Sequence, residues 1–322
     1  MKTKNVLALA ALATIGITAC SNEEDLQFPD MKNVPITYTA GINDLSSSTR
    51  TTDAEILLNR DISLFLETAG TTDSKYSAFN MNLHKGDDGN WTPEHELLWK
   101  DNNSEVTYYA YMPHKNNLRY DGTDDPEAYV KVDTEQDSLS MIDNDFCYAT
   151  VKKTTATENA GVINLKFKHI LSKLTVKLET AKPLTDGIKV QELKIAEWRY
   201  STGYQLKSQT LKRNYVETSL TFWKKDDLLF QGLLIPNPYD DHGVVMPHEL
   251  LIYITTGTDD GQKMKKYKFL SAKPLVFESG KKYEMTLKIR NDNDAGEAEE
   301  VTLGSITAEP WESTQEETLV ID

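Results

Sequence analysis

The stretch GVINLKFKHILSKLTVKLE, residues 161–179, constrains the chain most, because its alternation changes parity halfway. Ile163, Leu165 and Phe167 alternate with Asn164, Lys166 and Lys168, the period of two that turns one face of a strand to a core. Beyond His169 the apolar positions resume on the other parity, at Leu174, Val176 and Leu178. A slip of one residue exchanges the buried and exposed faces of a strand. HILS at 169–172 is therefore a kink, bulge or crossing, between the last strand of one β-domain and the first of the next.

Short strands separated by turn residues run through both halves. ISLFLE (62–67), HELLWK (95–100), VTYYAYM (106–112), AYVKV (128–132) and FCYATV (146–151) precede the crossing. IKVQELKIAEW (188–198), YQLKS (204–208), LLFQGLLIP (228–236), ELLIYITT (249–256), LVFE (275–278) and KYEMTLKIR (282–290) follow it. Gly/Asp-rich turns such as 86–90 and 121–127 lie between strands, and no run sustains a helical period. The reading is all-β, with two tandem antiparallel β-sandwich domains at 34–170 and 171–322, a size that suits 322 residues.

The first residues read as an export signal. Lys2 and Lys4 precede an apolar stretch at 6–17, and small residues lead to a cysteine. ITAC at 17–20, the end of this 1–20 signal, resembles a lipobox in which the cut falls before Cys20, so Cys20 is expected to become the new terminus and to carry the lipid that anchors the chain in the outer membrane. Residues 21–33 form a polar tether. With Cys20 so used, no disulfide to Cys147 is expected.

FKHILSKLTVKL also resembles the central signature of the fimbrillin family, lipoprotein subunits of pili on certain Gram-negative anaerobes. ITYTAGI (36–42), STRTT (48–52), VTYYAYMPH (106–114), LLIPNP (233–238), FESGKKYEMTLKI (277–289) and ITAEPW (306–311) are similar to the family's pattern and come in its order. The resemblance implies transthyretin-like domains, and a stalk, anchor or tip subunit at the cell surface that takes part in adhesion. It also implies other pilus subunits as partners, in a homo- or heteropolymer. The acidic run SNEED at 21–25 resembles a surface-export signal of such lipoproteins.

One arrangement of residues has a mechanism of its own. VPITYTAGI is an amphipathic strand with Ile36, Tyr38, Ala40 and Ile42 on one face, and it runs into a polar loop containing Arg50. Loop tips of small polar residues are preferred cleavage sites. A trypsin-like protease cutting between Arg50 and Thr51 would let the first strand leave and open a groove edged by unpaired backbone groups. Such an edge accepts a strand from elsewhere. The resemblance implies that the donor is a neighbour's C-terminal region, here ETLVID with Leu319, Val320 and Ile321.

Chemistry is otherwise sparse. Net charge is −15, which argues against a nucleic-acid partner. His84, His95, His114, His169, His242 and His248 form no paired metal motif, and Cys147 lacks a CxxC partner. No metal or cofactor is expected, His169 reads as a ring bonded to backbone, and no nucleophile or phosphate-binding motif marks an enzyme. The alternative function is a surface glycan-binding lipoprotein, with two or three of Trp91, Trp99, Trp198, Trp223 and Trp311 exposed as a platform.

Overall fold

The computed structural model describes residues 28–42, 59–87, 89–116, 118–120, 125–158, 160–184, 187–213, 216–237, 249–261, 264–290, 301–311 and 317–318. The strands before the crossing are β1 (Thr37–Ile42), β2 (Ile62–Thr68), β3 (Ala78–Lys85), β4 (Trp91–Pro93), β5 (Val106–Met112), β6 (Glu127–Lys131), β7 (Cys147–Thr154) and β8 (Val162–His169), with a helix α1 (Ser138–Asn144) before β7. All but β6 close into a barrel in the order β1-β4-β3-β2-β5-β7-β8. The chain is all-β as expected, but the first half is a closed barrel where an antiparallel sandwich was expected. Closure is made by a parallel pair, β1 beside β8 from Thr37 opposite Val162 to Ile42 opposite Phe167. Closing the sheet removes its open edges.

After the crossing come β9 (Ser172–Thr180), β10 (Lys189–Gln205), β11 (Thr210–Leu211), β12 (Val216–Thr221), β13 (Trp223–Asp226), β14 (Leu229–Leu234), β15 (Leu251–Gly257), β16 (Lys265–Leu270), β17 (Lys281–Ile289), β18 (Val301–Pro310) and β19 (Glu317–Thr318). One sheet is built around β10, which pairs with β15, β12, β6 and β11. The other runs β13-β14-β9-β17-β18-β19, and it too contains a parallel pair, β9 with β17. Leu193, Ile195, Ile252 and Ile254 of the first sheet share one core with Leu174, Val176, Met285 and Leu287 of the second.

Three departures from the strand reading have local causes. The segment IKVQELKIAEW continues through Tyr204 and Gln205 of YQLKS as one strand, β10, whose register shifts near Glu197, a residue at φ 54. Bulges of this kind let a long strand twist without ending. AYVKV leaves the barrel, and β6 pairs with β10 from Ser201 opposite Lys131 to Gln205 opposite Glu127. HELLWK forms no named strand, although Leu97 and Trp99 are buried.

The continuous apolar run VTYYAYM follows from burial of both its faces. Tyr108, Ala110 and Met112 fill the barrel interior, whereas Tyr109 and Tyr111 join the core of the second half. Phe65, Phe146 and Tyr148 do likewise, and Tyr204 lies 5.1 Å from Tyr148 and 5.5 Å from Phe146, ring centre to ring centre. The Tyr148 hydroxyl donates to the Leu206 carbonyl at 2.5 Å.

The change of parity at 169–172 is a change of sheet. Ile163, Leu165 and Phe167 face the barrel interior, and Leu174, Val176 and Leu178 the second core, with Ile170 and Leu171 buried between them. The turn before β17 stitches this crossing. Ser279 Oγ donates to the Ile170 carbonyl at 2.8 Å, the Gly280 amide donates to Leu171 at 3.0 Å, and Ser172 Oγ donates to Glu278 at 2.7 Å. Gly280 is at φ +70, and a Cβ there would sit 3.1 Å from the His169 carbonyl oxygen. Glycine alone meets both demands cheaply.

Candidate functional site

The residues assigned to the first strand lie in one slot of the barrel. Ile36, Tyr38 and Ile42 are buried in its core, and Ala40 packs against that core half-buried. Tyr38 meets Tyr108 edge-on at 6.2 Å, and Tyr108 meets Trp99 edge-on at 6.3 Å. A strand with alternate side chains inside a closed barrel cannot be removed without leaving a cavity.

The backbone of this segment is held unevenly. Its leading end is bonded to residues 97–102: Met31 donates to Asn102 Oδ1 at 2.6 Å, Asn33 to Trp99 at 2.8 Å, Trp99 to Val34 at 2.9 Å and Ile36 to Leu97 at 2.9 Å. Thr37 donates to Gly161 at 3.3 Å, and that carbonyl also accepts from Trp99 Nε1 at 3.3 Å. From Thr37 onward β8 supplies a full ladder on one side. On the other side β4 pairs only at Tyr38 opposite Trp91, because β4 is three residues long. Among the described residues, 39–42 therefore have one sheet neighbour. That is the end nearer to Arg50.

Burial raises the pKa of both tyrosines in the slot. Tyr38 is pushed well up by desolvation, and Tyr108 by desolvation together with the nearby Tyr38. Neither hydroxyl has a hydrogen-bond partner among the described residues. A buried unsatisfied hydroxyl costs about 1–3 kcal/mol. Tyr38→Phe should therefore raise stability by about 1 kcal/mol, read as a higher denaturant midpoint at unchanged slope. A lower midpoint would mean that the hydroxyl is bonded after all.

Cys20, Arg50, Thr51, Leu319, Val320 and Ile321 lie outside the described residues. The strand before the last three, β19, turns back onto β18 with Thr318 opposite Thr307 and Glu317 opposite Ala308. None of the five tryptophans is exposed, so the expected sugar platform does not form from them. No described helix is long and apolar enough to cross a membrane.

One constellation was missed in the sequence. His169 was expected to bond to backbone, but its Nδ1 lies 2.9 and 3.0 Å from the two carboxylate oxygens of Asp145 and 3.3 Å from Cys147 Sγ. Trp311 lies flat on the imidazole, 4.1 Å away and 2° from parallel. The available signal was the hairpin of β7 and β8, which sets Cys147 opposite His169.

No curated protein sequence matches the chain. Solved structures do. A candidate cell adhesion protein from Bacteroides ovatus shares 17% identity over 90% of this chain and 99% of its own, with a TM-score of 0.62. A second candidate cell adhesion protein, from Bacteroides uniformis, shares 18% over 87% and 99%, at 0.57. A fimbrial protein from Bacteroides vulgatus shares 14% over 86% and 99%, at 0.58. At these identities the likeness is one of fold. The fimbrillin-like family model matches residues 49–311, most of the chain, and the protein belongs to the fimbrillin-like family.

Proposed function

We propose that this protein is a non-enzymatic pilus subunit, acting as stalk, anchor or tip in adhesion at the cell surface. It is exported as an outer-membrane lipoprotein through Cys20, cut after Arg50 by a trypsin-like protease, and assembled when a neighbour's C-terminal segment replaces β1. Family membership supports the pilus reading, as do the folds of the fimbrial and adhesion proteins it resembles. The observation that carries strand replacement is the position of β1. It closes a barrel, its apolar side chains enter the core, and among the described residues its last positions are bonded on one side alone.

Opening from the Arg50 end breaks one ladder at a time, so the strand peels off gradually. The same slot, emptied, presents the β8 backbone and a row of apolar holes spaced two residues apart. A strand of matching alternation fills both. The arrangement of Asp145, Cys147 and His169 supports a non-enzymatic reading. Thiol and carboxylate address the same ring nitrogen, whereas a nucleophile–imidazole–acid relay uses both nitrogens.

N-terminal sequencing of surface material tests the proposal. The expected result is a mature terminus at Thr51 in SDS-resistant ladders, with lipidated Cys20 confined to unpolymerised precursor. Ladders built from chains that all retain Cys20 would overturn cleavage, and material that never polymerises after trypsin treatment would overturn strand replacement.

A further inference from the structure

The geometry points to a structural zinc site formed by Asp145, Cys147 and His169 where the chain leaves the barrel. Three elements bring these residues together. Asp145 follows α1, Cys147 opens β7 and His169 closes β8, and the three are 8%, 0% and 7% exposed. One potential ligand atom from each lies within 4.8 Å of the others.

The contacts on His169 are oversubscribed for a hydrogen-bonded cluster. A ring nitrogen offers either one hydrogen or one lone pair. Here a carboxylate and a thiol both address Nδ1, at 2.9 Å and 3.3 Å. A cation at the centre of the three atoms satisfies all of them at once. Tetrahedral zinc with bonds of about 2.0–2.3 Å puts neighbouring ligand atoms about 3.3–3.7 Å apart, so the two contacts on His169 need to open by only a few tenths of an ångström, and the Asp145 oxygen and Cys147 Sγ already lie within 4.8 Å.

Charge and ligand type favour the same ion. A thiolate, a carboxylate and a neutral imidazole balance a dication, so the buried cluster carries no net charge. A sulfur and a nitrogen donor select zinc over magnesium or calcium, which take oxygen ligands. A cavity of about 160 Å³ borders Asp145 and Trp311, with Ser138, Lys173 and Gln231 around it. It has room for the water that completes a four-coordinate shell. Trp311 fixes the ring plane from the other side of the crossing, and its amide donates to Gly280 at 2.8 Å. The ion would thus tie α1, β7 and β8 together beside the residues that stitch 169–172 to the second half.

The test uses the whole mature chain, stripped with a chelator and titrated with zinc, then with cobalt as a spectroscopic probe. Expected are one zinc per chain by elemental analysis, a thermal midpoint raised by several degrees, and a thiolate-to-cobalt charge-transfer band. Cys147→Ala leaves the fold intact by circular dichroism, abolishes the band and weakens zinc binding about 100-fold or more. Because Asp145 or His169 variants risk misfolding, the alanine variant at Cys147 and the cobalt band carry the decision. Failure of the wild-type chain to retain either metal, or zinc binding unchanged in Cys147→Ala, would overturn the site and leave an Asp145–His169 hydrogen bond beside a buried thiol.

Discussion

A chain that begins at Thr51, and so lacks β1, should lose about 5–9 kcal/mol of stability and recover it when a peptide spanning residues 31–42 is added. Burial of Ile36, Tyr38 and Ile42 accounts for this figure at about 1.5–3 kcal/mol each. The lost ladder to β8 adds to the cost, because its amides and carbonyls are left beside an apolar core. The whole stability of an ordinary domain is about 5–15 kcal/mol, so the truncated barrel should be barely folded. In thermal unfolding the midpoint should fall on the order of 10–30 °C. Added peptide should restore it in a concentration-dependent way, as any ligand of the folded state does. Truncated chains alone should form oligomers, since each carries a vacant slot and a C-terminal strand. A truncated monomer as stable as the full chain would show that β1 is dispensable, and strand replacement would lose its driving force.

The second large effect is a steep loss of stability above pH 10. Burial pushes six described tyrosines, Tyr109 among them, above their ordinary value, and the five most deeply buried of these are Tyr38, Tyr108, Tyr111, Tyr148 and Tyr204, with Tyr111 raised to about 12. The sign follows from proton counting. Below pH 10 each hydroxyl is protonated in both folded and unfolded chains, and its contribution is fully present. Above pH 10 the unfolded chain releases the proton while the folded chain keeps it, so stability falls until the folded value is passed. At pH 11 each group contributes about 1.4 kcal/mol of that loss, and the five together roughly 5–7 kcal/mol. Denaturant titrations at pH 8, 10 and 11 measure it. Phenolate absorbance provides a second reading: of the 15 tyrosines, these five should ionise only as the chain unfolds. Equal stability at pH 8 and pH 11 would contradict the burial of these rings.

These tyrosines mark where sequence alone becomes ambiguous. VTYYAYM reads as a strand, but its unbroken apolar character does not say whether it lies in one sheet with two covered faces or in a poorly patterned edge. The answer required β6 and β10 on one side and the barrel interior on the other. Strand direction was equally hidden. Alternation is the same for parallel and antiparallel neighbours, so the pairings of β1 with β8 and of β9 with β17 were not visible in the pattern. Cys147 and His169, 22 residues apart, carry no motif spacing and meet only through hairpin register.

What residue order alone determined is local: strand class, the buried parity at Ile163, Leu165 and Phe167, its reversal at Leu174, Val176 and Leu178, and the apolar face of 36–42. Tertiary structure decided how strands are joined: the closed barrel, the departure of β6 to β10, and the cluster at Asp145. The physical reason is that side-chain alternation reports the two faces of a strand, each in or out of water. Which neighbour bonds each edge is settled by backbone groups, and those are the same in every residue but proline.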